Sequence, residues 1–296
     1  MKPVVLTLGT FDGVHRGHQA LLARARQRAH ALKGEVLAVA FERPPRVFFR
    51  PDTVVPGLTT PTEKEEWLRR YGADRVEHLR FGPALARRSA REFLERDILR
   101  RWKAREVVVG FTFFFGRGRE GHPGCLKKEG PPRGLRVHAV PALLDRGETV
   151  SSGRIRARLA VGDLAAAHRA LGHPYTLVAD VQRGRGLGRR LGYPTANLKV
   201  DREKLLPPGV YAVRVDVPNG VRRGGVLNVG TRPTVSKRGR PVAEVHILDY
   251  TGRLTGRRLR LEWVAFLRPE KRFASLAALR AQIARDEARA RRLLFA

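Results

Sequence analysis

The pattern of apolar and polar positions changes once along the chain. Up to about residue 171, compact apolar runs alternate with longer amphipathic stretches. Val4–Leu8, ending in Gly9, reads as a buried strand, and a helix is predicted from about Gly17 to Leu32. Val36–Phe41 reads as a second strand. Thr60-Pro61-Thr62-Glu63 has the capping-box pattern with proline at the first helical position, which predicts a helix to about Tyr71. Val76–Phe81 is a weaker third strand. Ser89-Ala90-Arg91-Glu92 is a second capping box and opens a predicted helix to about Lys103. Glu106–Val109, ending at Gly110, and Leu135–Val140 complete the strands. Alternating strands and helices predict a doubly wound parallel sheet, which binds ligands beyond the carboxyl ends of its strands.

Beyond Leu171 the period becomes two. Tyr211, Val213, Val215 and Val217 alternate with Ala212, Arg214 and Asp216, and Leu259, Leu261 and Trp263 alternate with Arg258, Arg260 and Glu262. Glu244–Leu248 alternates less cleanly. Such strands between Gly/Pro turns predict an antiparallel β-barrel. From about Ser275, Leu276, Leu279 and Ile283 form the apolar stripe of a closing helix. Gly172-His173-Pro174 interrupts both patterns and places the expected boundary between a domain of residues 1–171 and one of residues 172–296. The fold class is therefore α/β, a doubly wound parallel-sheet module followed by an antiparallel barrel.

Composition narrows the picture. A length of 296 residues suits about two cores, and 42% hydrophobic residues is a globular composition. No run approaches the ~18 apolar residues of a membrane span, and the N-terminus lacks signal-peptide character. A single cysteine, Cys125, excludes an intrachain disulfide and fits a reducing, cytoplasmic setting. The net charge of +31 admits two readings, nucleic-acid binding or a diffuse bias suited to phosphate-bearing substrates. Arginine is scattered along the whole chain, which favours the second and leaves any nucleic-acid binding non-specific.

Two segments carry chemistry. Leu8-Gly9-Thr10-Phe11-Asp12-Gly13-Val14-His15-Arg16-Gly17-His18 joins the first strand to the first helix. Gly9 and Gly13 permit tight turns, the helix N-terminus offers N–H groups to a phosphate, and His15 and His18 share a face there. They are placed to donate hydrogen bonds to an anion as charge develops. In the second half, Gly184–Asn197 holds repeated glycines that let the backbone wrap phosphates. Thr195 and Asn197 follow with oxygen ligands of the kind Mg²⁺ accepts. Without a Gly-Lys-Ser/Thr ending, this is not a Walker loop.

The first segment resembles the H-x-G-H nucleotidyltransferases, in particular the FMN adenylyltransferase module of prokaryotic FAD synthetases. Leu58-Thr59-Thr60…Glu63-Lys64 and Val150-Ser151-Ser152…Arg154-Ile155-Arg156 resemble further motifs of that module. The resemblance implies catalytic His15 and His18, with Gly9, Phe11, Gly17, Ser151, Ser152 and Arg156 binding ATP. The pattern is broken at Arg43, Pro44, Thr112, His122 and Gly153. The Phe111–Phe115 cluster reads mostly as core.

The second segment resembles riboflavin kinase, as do Gly225–Thr234, Glu244–Tyr250 and Leu267–Phe273 in the same order. The resemblance implies that Gly184, Gly188, Gly192, Pro194 and Thr195 bind ATP and that Thr195 and Asn197 hold Mg²⁺. It further implies that Glu244 is the base and that Asn228, Arg268 and Phe273 meet the flavin. The whole chain is thus similar to bifunctional enzymes that convert riboflavin to FMN and FMN to FAD with ATP. Two other readings stay open: a kinase with weak or lost adenylyl transfer, and a basic RNA-associated protein.

Overall fold

A computed structural model describes residues 2–50, 52, 55–184, 186–218, 220–231 and 241–295. Arg185, Arg232, Pro233 and Thr234, which belong to the motifs above, lie outside the described residues. The chain divides into two compact units, one of residues 1–55 and 61–152, the other of residues 56–60 and 153–296.

The first unit is built on five parallel strands: β1 (Val4–Gly9), β2 (Glu35–Phe41), β3 (Arg75–Leu79), β4 (Ala104–Gly110) and β5 (Arg136–Val140). Their order is β3-β2-β1-β4-β5, every pair parallel. Helices cover both faces, which is why β1, β2 and β4 are near-continuous apolar runs. On one face Val5, Val36, Ala38 and Val108 pack with Leu22, Ala25 and Ala29 of helix Arg16–Ala31 and with Trp67 and Leu68 of helix Pro61–Arg70. On the other, Leu6, Leu37 and Val107 pack with Phe93, Leu94, Ile98 and Trp102. The box expected at Ser89 is present: its hydroxyl accepts from Glu92 N–H while the Glu92 carboxylate accepts from Ser89 N–H. The turns opened there widen to a π-helix over Phe93–Arg101.

A two-residue hairpin, β6 (Leu144–Asp145) with β7 (Glu148–Thr149), precedes the second unit. Six strands of that unit close into a barrel: β8 (Thr176–Gln182), β9 (Ala196–Lys199), β10 (Gly209–Asp216), β11 (Arg222–Thr231), β12 (Pro241–Ile247) and β13 (Arg258–Arg268). They run in the order β10-β11-β12-β9-β8-β13, all antiparallel. Leu177, Val213, Leu227, Val245, Leu261 and Trp263 fill the interior. The closing helix, Leu276–Phe295, lays Ala290 and Leu294 on Val210, Ala212 and Leu267 of the outer wall.

The units divide earlier than the 171/172 boundary expected from the pattern. Helices Ser152–Ala160 and Leu164–Leu171 send Ile155, Leu159, Leu164, Ala167 and Leu171 into the same core cluster as the barrel interior. Gly172 marks a helix end, with φ +76° at the C-cap of Leu164–Leu171, whose N-cap Asp163 accepts from Ala166 N–H.

Candidate functional site

In the first unit the turn after β1 is tight and strained. Phe11 and Val14 have φ of +47° and +37°, and Gly13 has φ of +80°. Left-handed backbone at a β-branched valine is costly and concentrates where a site requires it. The Phe11 ring is fully buried, packs 3.5 Å from where a Gly9 side chain would begin, and meets His18 edge-on at 5.2 Å. Its side chain therefore supports the turn from within the core. The Ser152 hydroxyl donates to the Asp12 carbonyl at 2.9 Å and pins the same turn.

His15 is the N-cap of helix Arg16–Ala31, which has no acidic residue in its first turn. Its ring stacks on that of His18, with centroids 3.7 Å apart and planes 18° from parallel. A Cβ on Gly17 would stand 3.1 Å from the His15 ring, so Gly17 makes room for that imidazole. His18 is held well below the ordinary histidine pKa, first by burial, then by His15 and Lys64. A neutral His18 keeps one N–H to donate at a helix N-terminus that already favours anions.

Lys64 belongs to a motif quoted above but received no role there. It is buried, donates to the Phe41 carbonyl at 2.8 Å, and is lowered by burial against the pull of Asp12 and Glu42. It therefore brings a cation to the carboxyl ends of β1 and β2. Its place next to a capping-box glutamate concealed this in the sequence, since Glu-Lys in a first turn is ordinary helix surface. Arg156 belongs to the second unit, where its Nε donates to the Pro56 carbonyl at 2.7 Å.

One of the broken positions has a structural account. His122 caps helix Pro123–Glu129, its Nδ1 accepting from Gly124 N–H at 3.2 Å, a task that aspartate performs equally. The aromatic cluster is less buried than expected. Phe115 lies in the core with Phe113 stacked at 5.4 Å, whereas Phe111 and Phe114 are exposed and Arg119 lies over the Phe114 ring at 4.4 Å. After β4 the chain no longer alternates between two covered faces, so consecutive aromatics cannot all turn inward. Thr112 is exposed.

In the barrel, strand register gathers the expected residues into one row. Arg268 faces Val210, Val210 faces Asn228, Asn228 faces Glu244, Glu244 faces Asn197 and Asn197 faces Gln182. Leu227, Val229, Ala243, Val245 and Leu198 point into the core, so Asn228, Glu244 and Asn197 point to the outer wall. The Gly-rich loop lies against the end of this row. A Cβ on Gly184 would collide with the Asn197 amide. One on Gly188 would collide with the Tyr193 carbonyl and reach within 3.0 Å of Thr195 Oγ1. Gly192, at φ +89°, turns the chain back toward Tyr193 and Pro194. Thr195 and the buried Asn197 thus bring a hydroxyl and an amide close against glycine backbone. That donor set suits a hard cation such as Mg²⁺ that also carries phosphate and water ligands.

Arg268 is engaged by Asp286 of the closing helix at 2.8 Å and lies 5.7 Å from the Phe273 ring. Its guanidinium is thus paired with a carboxylate where it lies over the Phe273 ring.

The FAD synthetase family model matches residues 1–154 and the riboflavin kinase model residues 171–294. A bifunctional riboflavin kinase/FMN adenylyltransferase of Pseudomonas fluorescens is 42% identical over 98% of this chain and 92% of its own length. The chain belongs to the bifunctional riboflavin kinase/FMN adenylyltransferase family. The Escherichia coli K12 member is 39% identical over 97% of this chain and 91% of its own length. A crystal structure of a Streptococcus pneumoniae protein described as a macrolide-efflux protein superposes with a TM-score of 0.87 at 29% identity, covering 98% of this chain and 94% of that one. Among the described residues no helix is long and apolar enough to cross a membrane. Both enzyme modules of the family are present, so one chain phosphorylates riboflavin to FMN and adenylylates FMN to FAD. The wall bearing Glu244 belongs to the kinase half and the turn bearing His15 and His18 to the adenylylating half.

Proposed function

We propose that the row Asn228–Glu244–Asn197, with Thr195 and the loop from Gly184, is where riboflavin is phosphorylated. The observation that carries this is the register placing Glu244 between Asn228 and Asn197 on one outward face. Thr195 and Asn197 would hold Mg²⁺ and the ATP phosphates, and Gly184, Gly188 and Gly192 let the backbone approach them. Bound there, Mg²⁺ supplies charge neutralisation across the transferring phosphate. Glu244 accepts the proton of the ribityl 5′-hydroxyl as that oxygen attacks the γ-phosphate. Asn228, beside it, orients the flavin chain, and Phe273 offers a ring face to the flavin.

For adenylyl transfer, the stacked His15 and His18 donate to the ATP phosphates at the helix N-terminus, and Ser152 keeps the turn in place through Asp12. Ser151 adds a further phosphate contact. The motif and the neutral state of His18 support this reading. Phosphate substrates also give the +31 charge a use in drawing anions to the chain, with no role for nucleic acid beyond weak, salt-sensitive association. The single cysteine fits a cytoplasmic site of action.

Incubation with riboflavin, ATP and Mg²⁺, followed by chromatographic separation of riboflavin, FMN and FAD, tests both halves. FMN without FAD under any condition would leave a kinase alone.

A further inference from the structure

The motif around Glu244 contains a second polar residue, His246, to which neither the motif nor the mechanism above gives a task. The backbone ladder between β12 and β9 ends at the pair Val245–Ala196. One residue further along β12, His246 Nδ1 lies 2.8 Å from the Pro194 carbonyl oxygen. A carbonyl can only accept, so Nδ1 carries the proton and donates. The imidazole also meets the Tyr193 ring edge-on, with centroids 5.6 Å apart and planes at 81°. Thr195 is therefore bracketed, with the ladder closing at Ala196 on one side and the His246 bond holding Pro194 on the other.

The loop needs such a tie. Tyr193 N–H donates to the Gly188 carbonyl and Gly192 N–H to the Arg189 carbonyl, so the loop is folded on itself. Neither bond connects it to the strand that carries Glu244. The His246 side chain makes that connection by continuing the ladder past the point where backbone pairing stops. Glu244 and His246, two apart on one strand, share the outward face.

The geometry points to His246 as a positioning residue of the kinase site: by donating from Nδ1 to the Pro194 carbonyl it sets the distance between Thr195 and Glu244. This rests on the reading of Thr195 as a metal and nucleotide ligand. His246 touches no reacting atom. A misplacement of about 1 Å at a phosphoryl-transfer centre costs up to ~100-fold in rate, so the tie has kinetic weight.

The test uses the full chain with His246→Ala, His246→Asn and Thr195→Ala. FMN formation is followed against MgATP and against free Mg²⁺, FAD formation from supplied FMN serves as a control for the first unit, and thermal melts followed by circular dichroism report folding of the barrel. His246→Ala is expected to raise KM for MgATP and lower kcat, by about 10-fold or more in kcat/KM. It is also expected to shift the Mg²⁺ requirement upward while leaving FAD formation unchanged. His246→Asn, whose amide N–H occupies the place of Nδ1–H, is expected to restore most of the loss. His246→Leu, which packs on Tyr193 without a donor, should behave as His246→Ala does and replaces it if that variant melts in the assay. Kinetics like the wild type in His246→Ala, or no rescue by asparagine, would overturn the inference. A fully active Thr195→Ala would instead overturn the reading of Thr195 beneath it.

Discussion

Glu244 on β12 and Asn197 on β9 stand directly opposite each other across an antiparallel pair, on the face turned away from the barrel core. Residues so paired have side chains within about 5.5 Å at Cβ, close enough to serve one phosphate if Glu244 and Asn197 take the roles proposed for them. This pairing makes the kinase half testable residue by residue.

Thr195→Ala and Asn197→Ala are each expected to lower FMN formation by about 100-fold or more, because positioning and metal-borne charge supply most of phosphoryl-transfer catalysis. Steady-state rates with riboflavin and saturating MgATP check this. Near-normal turnover in either variant would remove that residue from the site.

Glu244→Gln keeps the shape of the side chain and removes the proton acceptor. Riboflavin affinity should persist while kcat falls by roughly 10²- to 10⁴-fold. If fluorescence titration shows weakened binding and kcat is intact, Glu244 is a binding residue instead.

Replacing both stacked imidazoles, His15→Ala with His18→Ala, should abolish conversion of FMN to FAD and spare conversion of riboflavin to FMN. The two products, separated chromatographically, report the two halves independently. Continued FAD synthesis by the double variant would place the adenylyl chemistry elsewhere.

Glu106 is a buried carboxylate on β4, gripped by Arg28 at 2.8 and 2.9 Å, by His138 at 2.6 Å and by Arg136 at 3.4 Å. The hydrogen bonds from Arg28 lead the causes that lower its pKa to about 2, against the opposing effect of burial. Because the folded value is depressed, the stabilisation is complete above the unfolded value near 4.5 and is lost as pH falls toward about 2. Denaturant unfolding across that window should show an acid limb that flattens in Glu106→Gln. Glu106→Gln should also be destabilised near neutral pH, since it removes the buried carboxylate that accepts two hydrogen bonds from Arg28. Superimposable acid limbs would rule the residue out.

A fragment of residues 153–296 should resist urea better than one of residues 172–296. The shorter piece lacks Ile155, Leu159, Leu164 and Leu171, all buried in the barrel cluster. Burial of each such side chain contributes roughly 1.5–3 kcal/mol. Equal unfolding midpoints would show that these helices do not stabilise the barrel.

Local pattern carried much of the fold. Helix Arg16–Ala31, the box at Ser89 and strand Glu35–Phe41 were legible because each is announced by its own residues, by an apolar period or a cap. Helix Leu164–Leu171 was hidden because alanine fills it, and alanine signals no period. Lys64 and His246 were visible as letters of motifs but not as actors, since what each does depends on a carbonyl far along the chain.

The sequence by itself determined two modules, a Gly-rich turn with His15 and His18 after the first strand and a Gly-rich loop followed by Thr195 and Asn197, because these are properties of neighbouring residues. Only the tertiary structure decided which distant residues meet. Arg268, Asn228, Glu244, Asn197 and Gln182 fall in one row because barrel closure sets the register, and a one-residue slip in any strand would turn its member of the row into the core. The stacking of His15 on His18 likewise awaited a helix start with Gly17 between them, where the missing Cβ leaves room for the ring.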